Sequence, residues 1–412
     1  MGFMIDNNKK VGHIKITKNI ILIILGNAIS KIGNAIFDVA LIWWLVEKYG
    51  SSKYTGYVMV ATLFPAVFMS LLGGVIGDRY NKKYIIVISD ILSGLASLAM
   101  GIMTCSGHLN LQMILLISFA LGVSKSLFGP TIRSLIPILV DHDDILRVNS
   151  IFSTTSGIIK VIGPLMGAAI LSVPFIGVGG AFIINGVSFF ASAISEMFIS
   201  YEFVQDKKST FNLGVIKEDM KQGFVYIFKD LRLRRLLIGA SIANIFLTAF
   251  TFLNPLFINN VLHCVVNYYS ITLAMESAGG ICVGIVLMMI HKKDMTHLKY
   301  MRLYIILLGG IVLLTPVSIF FNPIIFILSF FFGAFTVCFD NTYFSYIQIN
   351  CERGIIGRVI SVVGAISNLG VLFSYLVFGL LGDFMLTGSY VVAGICIVLC
   401  ALLINISEKE TV

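Results

Sequence analysis

Among the charges inside stretches otherwise apolar enough to lie in lipid, three acids and four cations stand out. Asp38, Glu276 and Asp340 are the residue type that can take up and release a proton. Lys31, Lys125, Arg133 and Lys160 are the type that draws an anion. A charge at the centre of a membrane helix costs roughly 2.5–3.5 kcal/mol on insertion scales, so such residues are paired or functional. Lys31 and Asp38 share a helix face but lie about 10 Å apart along the axis, too far to pair directly. Lys160 stands one turn before Pro164 and shares its face. Counting residues puts Lys160 and Glu276 at similar depths, about 18 and 21 Å. A Lys160–Glu276 pair is therefore expected, and Glu276 is equally a candidate proton carrier. Asp340, beside Asn341, is expected either to pair with Arg133 or to line a vestibule. Asp90 is expected to be a structural partner of Arg79 or Lys83. For Asp38 the alternative to proton titration is a structural acid bonded to a neighbouring helix.

The elements that position these groups follow from hydropathy. The chain has 412 residues, 58% apolar and 12% charged, with a mean hydropathy of +0.96. A soluble chain carries about 25% charge. Twelve apolar stretches are each long enough to cross a bilayer, which takes about 20 residues. They fall near 19–46, 55–77, 84–105, 111–139, 148–172, 177–200, 235–258, 267–290, 301–321, 323–347, 357–381 and 387–406. The alternation of barrel strands is absent, so the fold class expected is all-α integral membrane. No cleavable signal peptide is evident, and Met1-Gly2 lacks the Ser or Thr of a myristoylation site, with Asp6 in its place.

The net charge of +8 is distributed by side. With the N-terminus inside, 23 Lys and Arg fall in cytoplasmic segments and 2, Lys48 and Lys53, outside. That bias places both termini in the cytoplasm and argues against nucleic-acid binding. The seven cysteines include no CxxC and read as small apolar residues. No histidine spacing suggests zinc, so no metal and no cofactor is expected. No GxxxxGK[ST] occurs, so ATP drive within the chain is not expected, and no Ser/His or His/Asp set suggests an enzyme.

Six stretches precede the widest polar break, 201–234, and six follow it. The break carries Lys207, Lys208, Lys217, Lys221, Lys229, Arg232 and Arg234. Its second half, Ile216 to Leu233, reads either as a helix on the membrane surface, with Phe224, Tyr226, Ile227 and Phe228 facing lipid or protein, or as a solvated linker. The expected division is a six-helix bundle over 1–200, a linker over 201–234 and a second bundle over 235–412. At an offset of 211 residues, Arg147-Val148-Asn149-Ser150 matches Arg358-Val359-Ile360-Ser361, and Lys82 falls on Lys293. Parallel six-helix repeats place a site at their interface.

Between the second and third stretches lies Gly74-Val75-Ile76-Gly77-Asp78-Arg79-Tyr80-Asn81-Lys82-Lys83. In that place G-x-x-x-D-R-x-x-[RK]-[RK] resembles the signature loop of the major facilitator superfamily, with Gly74, Asp78, Arg79, Lys82 and Lys83 as a conformational gate. Further stretches resemble its macrolide-efflux and siderophore-export branch of drug:proton antiporters. These are Gly33-Asn34-Ala35-Ile36-Phe37-Asp38-Val39-Ala40-Leu41, Pro137-Ile138-Leu139-Val140, Gly223-Phe224-Val225-Tyr226, Gln348 and Gly357-Arg358-Val359-Ile360-Ser361. Asp38 is similar to an acid often found at this place in the branch. Gly163-Pro164-Leu165-Met166-Gly167 resembles the antiporter motif, which packs the fifth helix on the eighth. One glycine of the fuller motif is replaced here by Ile159, and a generic kink is the alternative.

The resemblance implies two six-helix pseudo-repeats, a central cavity lined by the first and fourth helices, and alternating access. Lys31, Lys125 and Lys160 there favour an anionic or zwitterionic cargo, unless each is neutralised by an acid. Aromatic candidates for the pocket are Phe37, Trp43, Trp44, Phe128, Phe250, Phe252, Tyr343 and Phe344. The function expected is a monomeric secondary exporter of a drug, siderophore or other secreted metabolite, exchanged for protons across the cell membrane. A flippase for an anionic lipid or glycolipid and a transport-inactive receptor or scaffold are the alternatives.

Overall fold

The computed structural model describes residues 18–79, 81–140, 144–200, 213–289, 298–352 and 355–404. The first half runs α1 Lys18–Tyr49, α2 Ser52–Arg79, α3 Lys82–Cys105, α4 Leu111–Leu139, α5 Ile145–Leu171 and α6 Gly177–Met197. An additional helix, α7 Leu213–Lys229, precedes the second half. That half comprises α8 Leu231–Leu256, α9 Val266–Met289, α10 Leu298–Leu314, α11 Ile324–Asn350 and α12 Ile356–Leu403. Ten helices among the described residues are long and apolar enough to cross a membrane.

Two of the expected spans are one assigned helix. At 48 residues α12 would be about 72 Å long, over twice a bilayer core, if it were straight. It is broken at Met385, whose φ −149° and ψ 72° are not helical. The first limb runs parallel to α8: Ser374 Oγ donates to Ile245 O at 2.6 Å, and Gly382 packs against Leu253. The second limb returns, bringing Ile404 back to Gly239 near the start of α8. With α12 counted as a hairpin and α2 included, twelve spans form the all-helical fold.

Helix boundaries follow local chemistry. Asn81 caps α3 by accepting from the Lys83 N–H at 3.0 Å. Asp230 caps α8 by accepting from the N–H groups of Arg232 and Leu233. That cap starts the helix at Leu231, four residues before the stretch read from hydropathy. Gly50 ends α1 at φ 60°, its N–H bonded to Val46 O, a conformation that suits glycine. The surface segment is helical, as one of the two readings had it. Its Ile227 is buried while Phe224 and Phe228 stay exposed and stacked 4.4 Å apart. It is moored to the start of α12, where Arg358 donates to Gln222 Oε1 at 2.6 Å.

The halves repeat in packing as well as in sequence. Gly122 of α4 lets the backbone of α2 approach at Thr62, and Gly333 of α11 lets the backbone of α9 approach at Glu276. Their numbers differ by the same 211 residues, a correspondence that glycine by itself does not announce. Arg147 and Arg358 both lie in the first turn of their helices, α5 and α12. Lys293 is outside the described residues. Lipid offers helices no hydrophobic drive to associate, so close backbone approach at small residues carries much of this packing.

Valine at Gly122 or Gly333 would drive a side chain into a facing carbonyl. Each of Gly122→Val and Gly333→Val is expected to cost about 1–3 kcal/mol or to prevent folding. Gly364→Ala, which meets nothing within 4 Å, should be neutral or mildly stabilising. Thermal unfolding in detergent micelles checks all three.

Candidate functional site: a cation-rich chamber and the seam that closes it

Among the described residues two helix pairs make most of the contact between the halves, α2 with α12 and α5 with α9. The first is stitched by a single carboxylate. Asp383 accepts from Ser51 Oγ at 2.6 Å, from the Ser52 N–H at 2.6 Å and from Ser52 Oγ at 2.8 Å, with the Lys53 N–H at 3.4 Å. Those N–H groups begin α2, so an acid of one half caps a helix of the other. Gly56 and Gly379 face each other one turn deeper. Nearby, Asn260 Nδ2 donates to Gly50 O at 3.2 Å, and Ser172 Oγ to Asn267 Oδ1 at 3.3 Å. All these contacts lie at the end of the bundle opposite Lys18 and Ile404.

Toward the other end the first half encloses a cavity of about 750 Å³. Its wall carries Lys31 from α1, Lys125 and Arg133 from α4, and Lys160 from α5, with Asn27, Asn34, Ser153 and Ser156 between them. Asp90 is the acid of that lining. Lys31 Nζ donates to Ser156 Oγ at 2.5 Å, which fixes the ammonium without neutralising it. A second cavity of about 380 Å³ shares Lys31, Asn34, Ser156 and Lys160 with the first. It continues to Asp38, Pro164, Tyr269 and Glu276, so the two form one chamber reaching the interface between the halves. Trp43 of α1 stacks on Tyr269 of α9 there, with centroids 6.2 Å apart.

Several sequence expectations are met differently. Asp38 pairs with Lys125 at 3.6 Å, both partly exposed to the chamber. Lys160 and Glu276 line the same cavity without an ion pair, because α5 meets α9 through Ser277 Oγ donating to Lys160 O at 3.1 Å. That contact uses the backbone of Lys160 and leaves its ammonium in the cavity that Glu276 also lines. Asp340 is exposed rather than paired with Arg133. Phe37 is 2% exposed and packs on Phe182, and Tyr343 is buried and stacked on Phe339, so neither lines the chamber. Phe128 does line it. Phe250 and Phe252 are buried in the second half.

The fifth-helix motif is divided between two neighbours. Gly163 packs against Ala35 and Gly167 against Ile36 and Val39, all on α1. Pro164 faces the chamber shared with α9. The glycines thus serve α1, not the pairing with the eighth span. In the loop motif, Gly74, Asp78 and Arg79 belong to α2, but their side chains are outside the described set, as is Tyr80. Lys82 and Lys83 open α3.

Two residues escaped the sequence reading. Asp383 fell between two expected spans and was not singled out. Glu196, inside the sixth span, is fully buried beside Asp90, and Asp90 is bedded there rather than against Lys83. An acid within an expected span was the available signal for Glu196.

Asp383→Asn keeps the shape of the cap and removes its charge. Hydrogen bonds to charged groups contribute about 1.5–3 kcal/mol, so the balance between closed and open seam should shift by roughly 10- to 100-fold. Spin labels at positions 53 and 387 in a cysteine-free background should show a longer, broader distance distribution in this variant. An unchanged distribution would mean that helix packing alone holds the seam.

Comparison with known proteins agrees with this architecture. A sequence model of the Major Facilitator Superfamily matches residues 23–375. Macrolide efflux protein A of Streptococcus pyogenes is 22% identical over 394 residues, covering 93% of this chain and 95% of that protein. The Staphyloferrin A transporter of Staphylococcus aureus (strain NCTC 8325 / PS 47) is 25% identical over 396 residues, covering 93% and 94%. The crystal structure of the nucleoside transporter NupG superposes with a TM-score of 0.72 at 12% identity, covering 94% of this chain and 98% of that one. Twelve spans in two repeated halves, a chamber between them and a family match over most of the length lead to one assignment: the chain belongs to the major facilitator superfamily, whose members are transporters and not enzymes.

Proposed function

We propose that this protein is a secondary active exporter of a small amphipathic anion, exchanged for protons by alternating access. The observation that carries the cargo charge is the chamber wall. Lys31, Lys125, Arg133 and Lys160 face one cavity, and among the described residues only Lys125 of these four has an acid in ion-pair contact. Cations gathered on a concave, low-dielectric wall raise the local concentration of anions. The names of the relatives, an efflux protein and a siderophore transporter, support outward transport of a small molecule.

Orientation follows from charge. Lys82, Lys83, Arg232, Arg234 and Arg235 lie at the end carrying the described chain ends, and Lys48 and Lys53 at the other. The positive-inside rule makes the first end cytoplasmic, in the cell membrane. The chamber then opens to the cytoplasm, where an exporter loads. Residues 1–200 and 235–412 rock as units joined by 201–234, and the 74–83 motif gates the cytoplasmic side. Asp38, Glu276 and Asp340 are the candidate proton carriers. Glu276 leads because Gly333 fixes its backbone at the interface.

Small molecules should be compared inside and outside cells lacking or overproducing the protein, sorted by charge. An anionic metabolite or metal chelator is expected to accumulate inside deletion cells. Arg133→Gln and Lys160→Gln should each reduce its export by about tenfold or more, and Glu276→Gln should remove its dependence on the pH gradient. A shift confined to cationic lipophilic drugs would overturn the anionic reading.

A further inference from the structure

Outside the interface between the halves, the first half holds a second titratable cluster in its own wall. Asp90 of α3 is 2% exposed, and Glu196 of α6 is 0% exposed. Ser192, one turn from Glu196, is likewise 0% exposed and lies beside both acids. Asp90 Oδ2, both Glu196 carboxyl oxygens and Ser192 Oγ have no hydrogen-bond partner among the described residues. The pocket is tightly bounded. A Cβ at Gly26 of α1 would come within 3.1 Å of Ser192 Oγ, and one at Gly94 of α3 within 2.9 Å of Phe190. Asp90 is also part of the chamber wall, so the cluster meets the cavity on one side and packed protein on the other.

Two carboxyl groups buried side by side cannot both stay ionised without a cation in contact, and two like charges sharing a site hold a proton between them. The charged groups around them are cations on other elements. These are Lys31 of α1, Lys125 and Arg133 of α4 and Lys160 of α5, which line the same cavity, with Lys82 at the foot of α3. From α2 the described side chains bring only Lys53, at the opposite end.

We infer that Asp90, Glu196 and Ser192 form a proton-binding site, and that the proton held there is linked to anion occupancy of the adjoining chamber. With the proton in place the wall presents its cations without an opposing carboxylate. When the proton leaves, Asp90 or Glu196 gains a negative charge that repels an anionic cargo. A group protonated in the anion-bound state strengthens anion binding at low pH and weakens it as pH rises. This sign separates the pair from an exchanged proton. A counter-transported proton must compete with the cargo, whereas this one assists it. The linkage rests on the anionic reading of the chamber, but occupancy of the pair by a proton does not.

Two measurements on the full chain in detergent test the site, with citrate as the anionic probe. Infrared difference spectra of wild type against D90N/E196Q are expected to contain a protonated-carboxyl carbonyl band at neutral pH that shifts in deuterated buffer. Citrate affinity of the wild type is expected to fall with pH, by up to roughly tenfold per unit for one linked proton, and this dependence should be flattened in the double variant. If the double variant is not monodisperse, the isosteric single variant E196Q takes its place. An unchanged infrared spectrum, or an unchanged pH slope, overturns the inference. Failure of the wild type to bind citrate at any pH overturns the linkage and counts against the anionic chamber, while the infrared band still decides whether the pair holds a proton.

Discussion

The first turn of a helix leaves backbone N–H groups without partners within the helix, and they bond to whatever acceptor is held against them. At the start of α2 that need is met from across the molecule, by Asp383 at the turn between the limbs of α12. The contact ties the two halves together at one end. Because α2 with α12 and α5 with α9 make most of the contact between the halves among the described residues, tying one end leaves the other free to splay. The chamber exists in the first half's wall because the second half does not fill it there. Cap, closure and cavity are one mechanical arrangement.

Within the chamber the charges divide by depth into two groups. Near the interface, Asp38, Lys125, Lys160 and Glu276 sit where any relative movement of the halves changes their neighbours. Nearer the described chain ends, Lys31 lines both cavities, while Arg133 lines only the cavity walled by the first half. The surroundings of Arg133 do not depend on what the second half does. The first group is suited to respond to rocking, and the second to hold something while rocking occurs. Gly333 contributes to the first group without carrying any charge, by letting two backbones approach at Glu276.

Most of the fold was legible because lipid demands long apolar runs, and such runs survive in a one-dimensional reading. The spans of α4 and α9 lie almost where hydropathy put them. What hydropathy missed was decided by single polar residues. Asp230 starts α8 early, and Asp383, in the gap between the last two expected spans, caps a helix of the other half. The site was less legible, because a charge within a span announces that it matters but not which way it points. Asp38 was recognised, yet its partner Lys125 comes from another helix, and no spacing encodes that meeting. Phe37 lies next to Asp38 in the chain and points into the bundle instead. Glycine posed the opposite difficulty. Gly122 and Gly333 sit at the repeat distance, but among 38 glycines only the facing carbonyls single them out.

The hairpin of α12 bears on how the protein is made. Between Leu380 and Tyr390 the chain carries one charge, Asp383. Moving a connection across a bilayer during synthesis becomes costlier with each charge it carries. This connection carries only a single carboxylate, which finds its partners at the start of α2, made more than three hundred residues earlier. The last two spans thus meet the first half through their tip. The first half, already in place, receives their tip as a plug receives its pin.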